Sequence, residues 1–532
     1  MNLRRITFTY LAIAMLCIQS VHALTERTES FSHRAEKNQQ GMMLLNSKML
    51  KGDAVRLSIA AENGIVSIDL GDGNLLEKEV SADVDKPTFL PLTAPVDNPT
   101  ITIKGNVLGI ECSSLQLSDL DCSQMPSMLL LKCDINHLGS LDVSHNIRLA
   151  RLYCNDNEMT SLNLGEAENL LLLYCQENKL ETLDLSKASN LMELACYKNQ
   201  LAALDITQCP EISVLNVSKK KIKQIDLRKQ NRLSELFVEN CGLQSLDVTA
   251  TSYLEKLYCG DNQLTELNLS KATQLQELNC KLNSLKTLDL SSCTQMSELY
   301  CFSNQLEELD LSKMKNLTVL SCGDNMLKKI DITNNPALES VSCSFNALEE
   351  FHCGNHTNIV AMGLDHNNLT TLSVKGHTAL QMLDINHNQL TVEGAKTLFE
   401  SLEARSEDEP GFLVMLNSAE FPEPDNNQFN YADFTSAKAK NWYLVDGEEE
   451  ITTGINQANH GQCHVRISAD QSTLNVRGAQ ENATIAIYGV NGIKEISSTT
   501  DQQGHADLCI ASLHKGVHIV RVGTCQHVFV FK

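Results

Sequence analysis

Apolar and polar positions recur with a period of 21 residues over the central part of the chain. Cysteine marks one phase of this period, without an insertion or deletion, at Cys112, Cys133, Cys154, Cys175, Cys196, Cys259, Cys280, Cys301, Cys322 and Cys343. The same phase is apolar at Val217, Val238, Leu364 and Ile385, which gives fourteen repeats. Because apolar residues replace the cysteines, we predict that this position, which we call the ladder position, faces a core.

Asparagine follows the ladder position by three residues in most repeats, at Asn136, Asn157, Asn178, Asn199, Asn262, Asn283, Asn304, Asn325, Asn346, Asn367 and Asn388. The consensus L-x-x-L-x-C-x-x-N-x-L-x-x-L-D-L-S-x-x-x-x is a leucine-rich repeat pattern. Alternation in Leu-x-Cys predicts a short strand, and stacked strands form a parallel sheet. The asparagine amide can donate to and accept from backbone groups at the following turn, so we expect a ladder of amides. Leu115, Lys220 and Cys241 depart from asparagine at this position.

The chain before the repeats has a different pattern. Residues 24–109 contain alternating apolar stretches at Val55–Ile59, Ile65–Leu70 and Thr100–Ile103, broken by a Gly-Asp-Gly turn and a proline-rich stretch that ends at Pro99. This pattern predicts an N-terminal β cap that leads into the first repeat.

The chain after the repeats of residues 110–390 predicts three further segments. Residues 391–445 carry the patterns of a helix and two strands, at Val392–Leu402, Phe412–Leu416 and Trp442–Val445, and predict an αβ C-terminal cap. Residues 446–462 predict a linker, and short strands with turns between them over residues 463–532 predict a β-sandwich. The predicted fold class is therefore a leucine-rich repeat solenoid, a parallel β-sheet of 21-residue repeats, with these caps and a C-terminal sandwich.

The cysteine column allows two interpretations. A redox or metal site needs thiolates exposed beside cations or a preformed metal geometry, and the sequence indicates neither. As a small, soft apolar residue, cysteine fits the thin interior of a short repeat. Side chains that leave adjacent parallel strands in register point the same way, which suits a disulfide poorly. We therefore expect core residues that stay reduced.

Charge and the N-terminus restrict the partners and the location. The formal net charge of -23 removes the electrostatic basis for binding nucleic acid. Arg4 and Arg5, an apolar run to Ile18 and a small residue at Ala23 predict an export signal over residues 1–23. That run is too short to span a bilayer as a mature helix, and no later stretch is long and apolar enough, so we expect an exported protein without a transmembrane segment.

Outward strand positions define a candidate ligand-binding face. The residues directly before or after the ladder position include Tyr153, Tyr174, Tyr197, Phe237, Tyr258, Tyr300 and Phe302. Tyrosine is a typical hot-spot residue for protein or glycan contacts, and acidic residues flank these positions at Glu193, Glu235, Glu277 and Glu298. The alternative is that aromatic residues favour strands and pack along a parallel sheet. The sequence leaves both interpretations open.

Other candidate chemistry is weaker. A zinc site can be drawn from His352, His356, His366 and His387, but surface loop histidines are commoner, so we predict no metal. Lys219–Lys221 form either a basic contact for an acidic partner or a solvated turn. The sequence has no HExxH, G-x-S-x-G or P-loop motif, and we predict no catalytic residue and no cofactor.

Two parts of the chain resemble known families. The Cys and Asn spacing over residues 112–390 resembles the cysteine-ladder repeats of internalin J-related proteins. The stretches Ile487–Gly492, Leu513–Val522 and Val530–Lys532 resemble the C-terminal sorting domain of Bacteroidetes proteins exported by type IX secretion, although His518 stands where that family usually has Tyr.

The resemblance implies a surface protein. It implies attachment at the cell surface or release from it, removal of the C-terminal tail, and adhesion to protein or glycan ligands on host or bacterial surfaces, with a role in biofilm formation. A structural matrix component that acts by self-association is the alternative, and an enzyme using the N-terminal β domain has no supporting motif.

Overall fold

The structure is a computed structural model that describes residues 41–219, 222–416, 425–446, 449–450, 464–467, 473–477, 483–489, 494–503, 505–510, 516–522 and 525–531. The predicted export signal, Lys220, Lys221 and most of the predicted linker lie outside these residues. The described chain divides into two compact units, of which the first contains residues 41–296 and 300–305, and the second contains 297–299 and the described residues from 306 onward.

Two antiparallel sheets begin the first unit. Their strands are β1 (Met42–Ser47), β2 (Ala54–Ala61), β3 (Ile65–Asp69), β4 (Leu75–Glu79), β5 (Thr88–Thr93), β6 (Thr100–Lys104), β7 (Val107–Glu111) and β8 (Leu117–Asp121). One sheet has the order β4-β3-β6-β1-β8. In the other, β2 pairs with β5 and with β7, and β7 also pairs in parallel with the next strand of the repeats. The N-terminal sheet therefore continues directly into the repeat sheet.

The proline-rich stretch before Pro99 interrupts the strands over residues 94–99, as expected, but its earlier part contains a strand that the sequence analysis did not predict. β5 lies within it and places Pro91 opposite Arg56 of β2. Pro91 has no N–H to donate. Since β5 pairs with β2 on one side, it is an edge strand, and an edge strand tolerates the missing donor. The turn signal of proline therefore hid a strand at the margin of the sheet.

Three-residue parallel strands build the repeats of the first unit. They are β9 (Leu130–Lys132), β11 (Arg151–Tyr153), β13 (Leu172–Tyr174), β14 (Glu193–Ala195), β15 (Val214–Asn216), β16 (Glu235–Phe237), β17 (Lys256–Tyr258) and β18 (Glu277–Asn279). Each strand from β9 to β17 is paired in register with the strand 21 residues further on, as Leu152 is with Leu173. The central leucine of each strand and the ladder residue that follows it are buried.

The second unit repeats this arrangement. Its parallel strands are β20 (Val319–Ser321), β22 (Ser340–Ser342), β24 (Ala361–Gly363), β25 (Met382–Asp384), β26 (Gly411–Leu416) and β27 (Trp442–Asp446), and β19 (Glu298–Tyr300) contains residues of both units. Within the predicted linker, β28 (Glu449–Glu450) pairs antiparallel with β27. All fourteen ladder positions directly follow a strand, which confirms the predicted leucine-rich repeat solenoid.

The opposite side of the repeats is irregular with a few short strands. These are β10 (Ser140–Asp142) paired with β12 (Ser161–Asn163), and β21 (Lys329–Asp331) paired with β23 (Glu350–His352). The Asp-Leu-Ser of the consensus has a local cause here. The Asp205 carboxylate, for example, accepts hydrogen bonds from the Thr207 hydroxyl at 2.7 Å and from the Thr207 N–H at 2.9 Å. The hydroxyl first and then the N–H lower the pKa of Asp205.

Helices and further strands complete the second unit. The predicted helix over Val392–Leu402 is confirmed as α1 (Val392–Ser401), where the Thr391 hydroxyl caps the first turn by accepting from the Gly394 N–H at 3.0 Å. A second helix is α2 (Tyr431–Lys438). The described strands near the end of the chain are β29 (His464–Ile467), β30 (Thr473–Arg477), β31 (Thr484–Gly489), β32 (Lys494–Thr499), β33 (Ala506–Cys509), β34 (Gly516–Val522) and β35 (Cys525–Phe531).

The asparagines form the predicted amide ladder. Asn262 Nδ2 lies 2.8 Å from the Val238 carbonyl of the preceding repeat, 24 residues earlier, and 2.9 Å from the Cys259 carbonyl of its own repeat. Its Oδ1 accepts from the Leu243 N–H at 3.0 Å. Where Cys241 replaces asparagine, its thiol lies 3.4 Å from the Val217 carbonyl, also 24 residues earlier. The contact between successive repeats therefore survives this departure.

The residue before each ladder asparagine adopts a left-handed backbone conformation, a feature that sequence reasoning missed. The φ angles are 53° at Asp156, 55° at Asp261 and 56° at Phe345. Non-glycine residues adopt this conformation at some cost in free energy. The turn recurs in successive repeats because the hydrogen bonds of the neighbouring asparagine side chain stabilise it.

A second column of buried polar side chains lies on the opposite side of the repeats. Its members bond the backbone carbonyl 24 residues earlier, at 2.9 Å from Asn146 to Cys122, 2.9 Å from Gln230 to Ile206, 2.9 Å from Asn335 to Leu311 and 3.1 Å from His356 to Ile332. Other positions of the column are apolar, as at Ala272 and Cys293, or polar with a local bond, as at Thr251 and His377. Both margins of the repeat core are thus joined by side chains that reach the previous repeat.

Replacing one ladder amide should destabilise the protein strongly. We expect Asn262→Ala to lower the free energy of unfolding by about 3 kcal/mol, because buried carbonyls and an N–H lose their partner. Chemical denaturation followed by circular dichroism measures this change. Gln263→Ala is the matched control, since this neighbouring amide side chain is exposed, and an equal loss in both variants would contradict the ladder role.

The buried histidines should make the second unit sensitive to acid. Burial lowers the pKa of His356 and of His377 from 6.5, and the two rings lie 5.5 Å apart. The groups facing them are the Ile332, Cys353 and Val374 carbonyls and the Glu403 carboxylate, which opposes the shift at His377. Because the unfolded chain takes up these protons first, stability present at neutral pH is lost as the pH falls below about 6.5.

The test compares guanidinium denaturation at about pH 7.5 and about pH 5. His356→Asn removes one titrating group and keeps the type of side chain that Asn335 places one repeat earlier, so it should reduce the loss of stability on acidification. His145→Asn changes an exposed histidine and should leave the loss unchanged. A pH dependence identical in all three proteins would show that folding does not change the pKa of His356, and this result would contradict the prediction.

Candidate functional site on the outward face of the repeat sheet

Outward side chains of the first unit's repeat strands lie in straight columns. The strands pair in register, so Glu235, Lys256 and Glu277 fall in one column and Phe237, Tyr258 and Asn279 in the next. The residue after each ladder position supplies a third column. The core fixes the positions of these columns but leaves the identity of their residues free.

The aromatic residues of the candidate face form two separate pairs. Tyr153 and Tyr174 meet edge to face, with ring centroids 5.2 Å apart. Phe237 and Tyr258 lie 5.0 Å apart with their planes tilted by 31°. Ala195 and Asn216 occupy the same column in the two repeats between the pairs. The rings therefore do not form one continuous stripe.

The other predicted aromatic residues lie around these pairs. Tyr197 and Tyr300 are half-buried, as are the paired rings. Phe302, in the third column, has the Lys281 ammonium 5.5 Å from its ring centroid. Packing along the sheet accounts for the half-buried state of the rings, so the interpretation of this face as a binding site stays a prediction.

Hydrogen bonds fix the orientation of the tyrosine rings. The Tyr174 hydroxyl donates to Glu193 at 2.8 Å and the Tyr258 hydroxyl donates to Glu277 at 2.6 Å. Each bond joins a residue to the next repeat, so both rings are ordered before any ligand arrives. Glu298, which the sequence grouped with these carboxylates, belongs to the second unit.

The centre of this face is more acidic than the sequence prediction implied. Glu239 lies directly after a ladder position and was not identified from the sequence. Burial raises the pKa of Glu235 and of Glu239, against the opposing effect of Lys256 on the first and of Lys281 on the second. Glu235 is only 9% exposed although it points outward from the core. The signal for Glu239 in the sequence was its place directly after the ladder position Val238, the place that Tyr197 and Phe302 occupy in other repeats.

The cysteines whose side chains the structure describes offer no reactive site. All fifteen of them are buried, and none forms a disulfide. Burial raises the pKa of Cys280 to about 12, and it also raises the pKa of Cys133 well above its usual value. The Cys322 thiol donates a hydrogen bond to the Cys343 sulfur at 3.3 Å, and the two sulfur atoms form no disulfide. A thiol that keeps its proton and is inaccessible to solvent is a weak nucleophile and a weak metal ligand.

The four histidines of the hypothetical zinc site lie in different places within the second unit. His352 is exposed beside Glu350, and His356 is buried in the second polar column. His366 and His387 instead stack ring on ring at 4.3 Å, with Phe345 stacked 4.0 Å beyond His366. Among the described residues, no group of three or more potential ligands could hold a metal ion. Nor does any described helix have the length and apolar character needed to cross a membrane.

Comparison with known proteins identifies the fold. The structure is similar to the functional domain of InlJ from Listeria monocytogenes, which is described as including a cysteine ladder, with 21% identity and a TM-score of 0.51 over 77% of this chain and 93% of the other. It is also similar to the leucine-rich effector protein YopM from Yersinia pestis, with 21% identity and a TM-score of 0.49 over 60% of this chain and 87% of the other.

No protein-family model and no curated protein matches the chain. At these identities the likeness to InlJ concerns the fold alone. The chain therefore has a leucine-rich repeat fold with a cysteine ladder, and its function has to be argued from its own residues.

The ladder thiols should be inert until the protein unfolds. Iodoacetamide at about pH 8 should leave the ten ladder cysteines unmodified in the native protein, because burial both excludes the reagent and suppresses the thiolate. Peptide mass spectrometry reads the modification at each site. The same reaction in concentrated guanidinium is the control and should label all of them, whereas rapid labelling of the native ladder or mass losses typical of disulfides would contradict the assignment.

Proposed function

We propose that this protein is a non-enzymatic cell-surface binding protein, an adhesin, whose ligand binds to the outward face of the first unit's repeat sheet. The observation that supports this proposal most directly is the ordered pair Phe237 and Tyr258 with carboxylates beside it. Aromatic rings supply much of the binding energy in protein interfaces, especially when neighbouring contacts exclude water.

Order in the free protein favours binding by this face. A ring that is already held by its neighbour and by a hydrogen bond loses little conformational entropy when a ligand covers it. The Tyr174 and Tyr258 rings meet both conditions. The repeat sheet beneath them is fixed by backbone pairing, so a ligand would meet a preformed surface.

The cellular setting of the proposal comes from the sequence resemblance. We propose export through the N-terminal signal, passage by type IX secretion through the C-terminal domain, and a final location at the cell surface or outside the cell. Ligands would then be proteins or glycans on host or bacterial surfaces, and the activity would contribute to host attachment and biofilm formation.

Self-association is the competing function. A matrix protein would use the same aromatic rings to bind a second copy, and its partner would carry the same acidic charge. Since the net charge is -23, such contacts must overcome repulsion between the copies. This argument favours a partner of a different kind over self-association.

Replacing the tyrosines separates these functions. We expect Tyr174→Ala, Tyr258→Ala and Tyr300→Ala, combined in one variant, to weaken attachment to the partner surface about 30-fold or more, as the loss of interface hot spots does. Bacteria expressing the variant are compared with the parent for attachment to host cells and for biofilm mass.

Tyr253→Ala is the matched control, since this tyrosine is 65% exposed and precedes β17 instead of lying on its outward face. It should change neither result. Lost attachment with normal biofilm favours adhesion, and lost biofilm with normal attachment favours self-association. Normal values in both assays would refute a role for the aromatic face.

A further inference from the structure

Three consecutive repeats of the first unit place opposite charges and aromatic rings in one small area. Glu235, Lys256 and Glu277 form one column. Phe237 and Tyr258 lead the column beside it, and Glu239 and Lys281 belong to the third column on either side of Gly260. We call these seven side chains and Gly260 the acidic aromatic patch.

The patch has more carboxylates than ammonium groups. The Lys256 ammonium is shared, at 3.6 Å from a carboxylate oxygen of Glu235 and 3.6 Å from one of Glu277. Glu277 also receives the Tyr258 hydroxyl. Within the patch, three carboxylates therefore face two lysines, Lys256 and Lys281. Just outside it, Lys219 opposes the charge of Glu239, while Asp261 and Glu255 add negative charge.

One carboxylate oxygen of the patch lacks a partner. Glu235 Oε2 is buried and has no hydrogen-bond donor among the described residues, and the residue as a whole is 9% exposed. A buried acceptor without a donor destabilises the free protein. On the outward side of the sheet, the missing donor can come from a ligand.

The Glu239 carboxylate, in the third column, is weakly hydrogen-bonded. It accepts a hydrogen bond from Asn279 Nδ2 at a long distance of 3.4 Å. Gly260 separates Glu239 from Lys281 in this column, and a Cβ at Gly260 would lie 3.0 Å from Lys281 Cγ and 3.2 Å from Asn279 Oδ1. The absence of a side chain at Gly260 thus gives Lys281 and Asn279 room to lie close to the sheet beside Glu239.

We infer that the acidic aromatic patch binds an arginine or lysine side chain of a protein partner, with the cation against Phe237 and Tyr258 and its N–H groups directed at Glu235 and Glu239. This inference rests on the proposed function and adds the chemistry of the ligand. A cation gains from the ring faces and from the carboxylates together. It would also give Glu235 Oε2 the donor that the free protein lacks.

The carboxylates of the patch are harder to explain as structural groups. Desolvation disfavours both Glu235 and Glu239 in their charged forms, so a glutamine of the same shape should support the fold equally well. A glutamine would bind a cation less tightly. Substitution to glutamine therefore separates stability from binding.

The test uses the purified full chain and two labelled peptides. One peptide alternates glycine with arginine, and the other replaces each arginine by citrulline, a neutral side chain of the same shape. Fluorescence anisotropy at physiological ionic strength measures the two dissociation constants. The native protein should bind the arginine peptide more tightly, and equal binding of both peptides would overturn the inference.

Paired variants locate the binding. Glu235→Gln with Glu239→Gln should weaken binding of the arginine peptide about tenfold or more, because charge-assisted hydrogen bonds are lost. Its melting temperature should equal or exceed that of the native protein, which excludes unfolding as the cause. Glu181→Gln with Glu266→Gln removes the same charge from exposed positions and should change binding less than twofold. Equal weakening in both double variants would show that the peptide is attracted by the overall negative charge of the protein, and this would overturn the inference.

The same variants distinguish failure of this inference from failure of the proposed function. If the tyrosine variant loses cell attachment while Glu235→Gln with Glu239→Gln retains it, the face binds a partner without a cation and only the inference fails. If neither variant affects attachment or biofilm, both fail. Loss of attachment in both variants, with the arginine preference intact in the native protein, supports both.

Discussion

A side-chain hydrogen bond to the carbonyl 24 residues earlier joins most of the described repeats to the repeat before, and the rest of the structure depends on this bond. Asn262 makes it to Val238 at 2.8 Å, and the same atom also bonds its own repeat. One inserted residue would place the amide beyond its carbonyl, which explains why the period holds without insertion over fourteen repeats. Cys241 shows that the requirement is for a donor at that place, since its thiol reaches Val217 at 3.4 Å. The column at the opposite margin, with Asn146, Gln230 and Asn335, meets the same requirement.

The cysteines follow from this constraint because they occupy the interior that the amides enclose. A 21-residue repeat leaves room for one small side chain beside the strand leucine, and a thiol fills it without a hydrogen-bonding demand comparable to that of serine. Their column marks the register of the repeats, and the chemistry of the thiol is suppressed by burial. Outward positions carry no such restriction. Repeats with the same backbone conformation can therefore carry different outward residues, such as Phe237, Lys256 and Asn279. In this way a uniform sheet can present a specific surface.

Sequence periodicity predicted the strands, the ladder and the helix at Val392–Ser401, because each depends on contacts that repeat at a fixed interval. It missed features that depend on a single context. The strand β5 was concealed by Pro91, and Asn427 extends the amide ladder outside the period, with its Nδ2 at 2.8 Å from the Ile385 carbonyl. At the candidate face, the repeat period predicted that Phe237 and Tyr258 point outward. It predicted neither the contact between their rings nor the burial of Glu235. Those properties depend on the residues of adjacent repeats, which a consensus averages away.

The acidic aromatic patch shows how a repeat sheet can retain a group that its fold does not need. In a single small domain, an unpartnered buried acceptor such as Glu235 Oε2 would take a large share of a stability of about 5–15 kcal/mol. Here the contacts of each repeat with its neighbours stabilise the backbone. The free-energy cost of one unpartnered group is therefore small beside the stability of the whole cooperative array. The residues at which the sheet departs from good internal pairing are then the residues most readily explained by a ligand. By this reasoning the rings give the partner its contact area, and Glu235 and Glu239 decide which side chain of the partner it accepts.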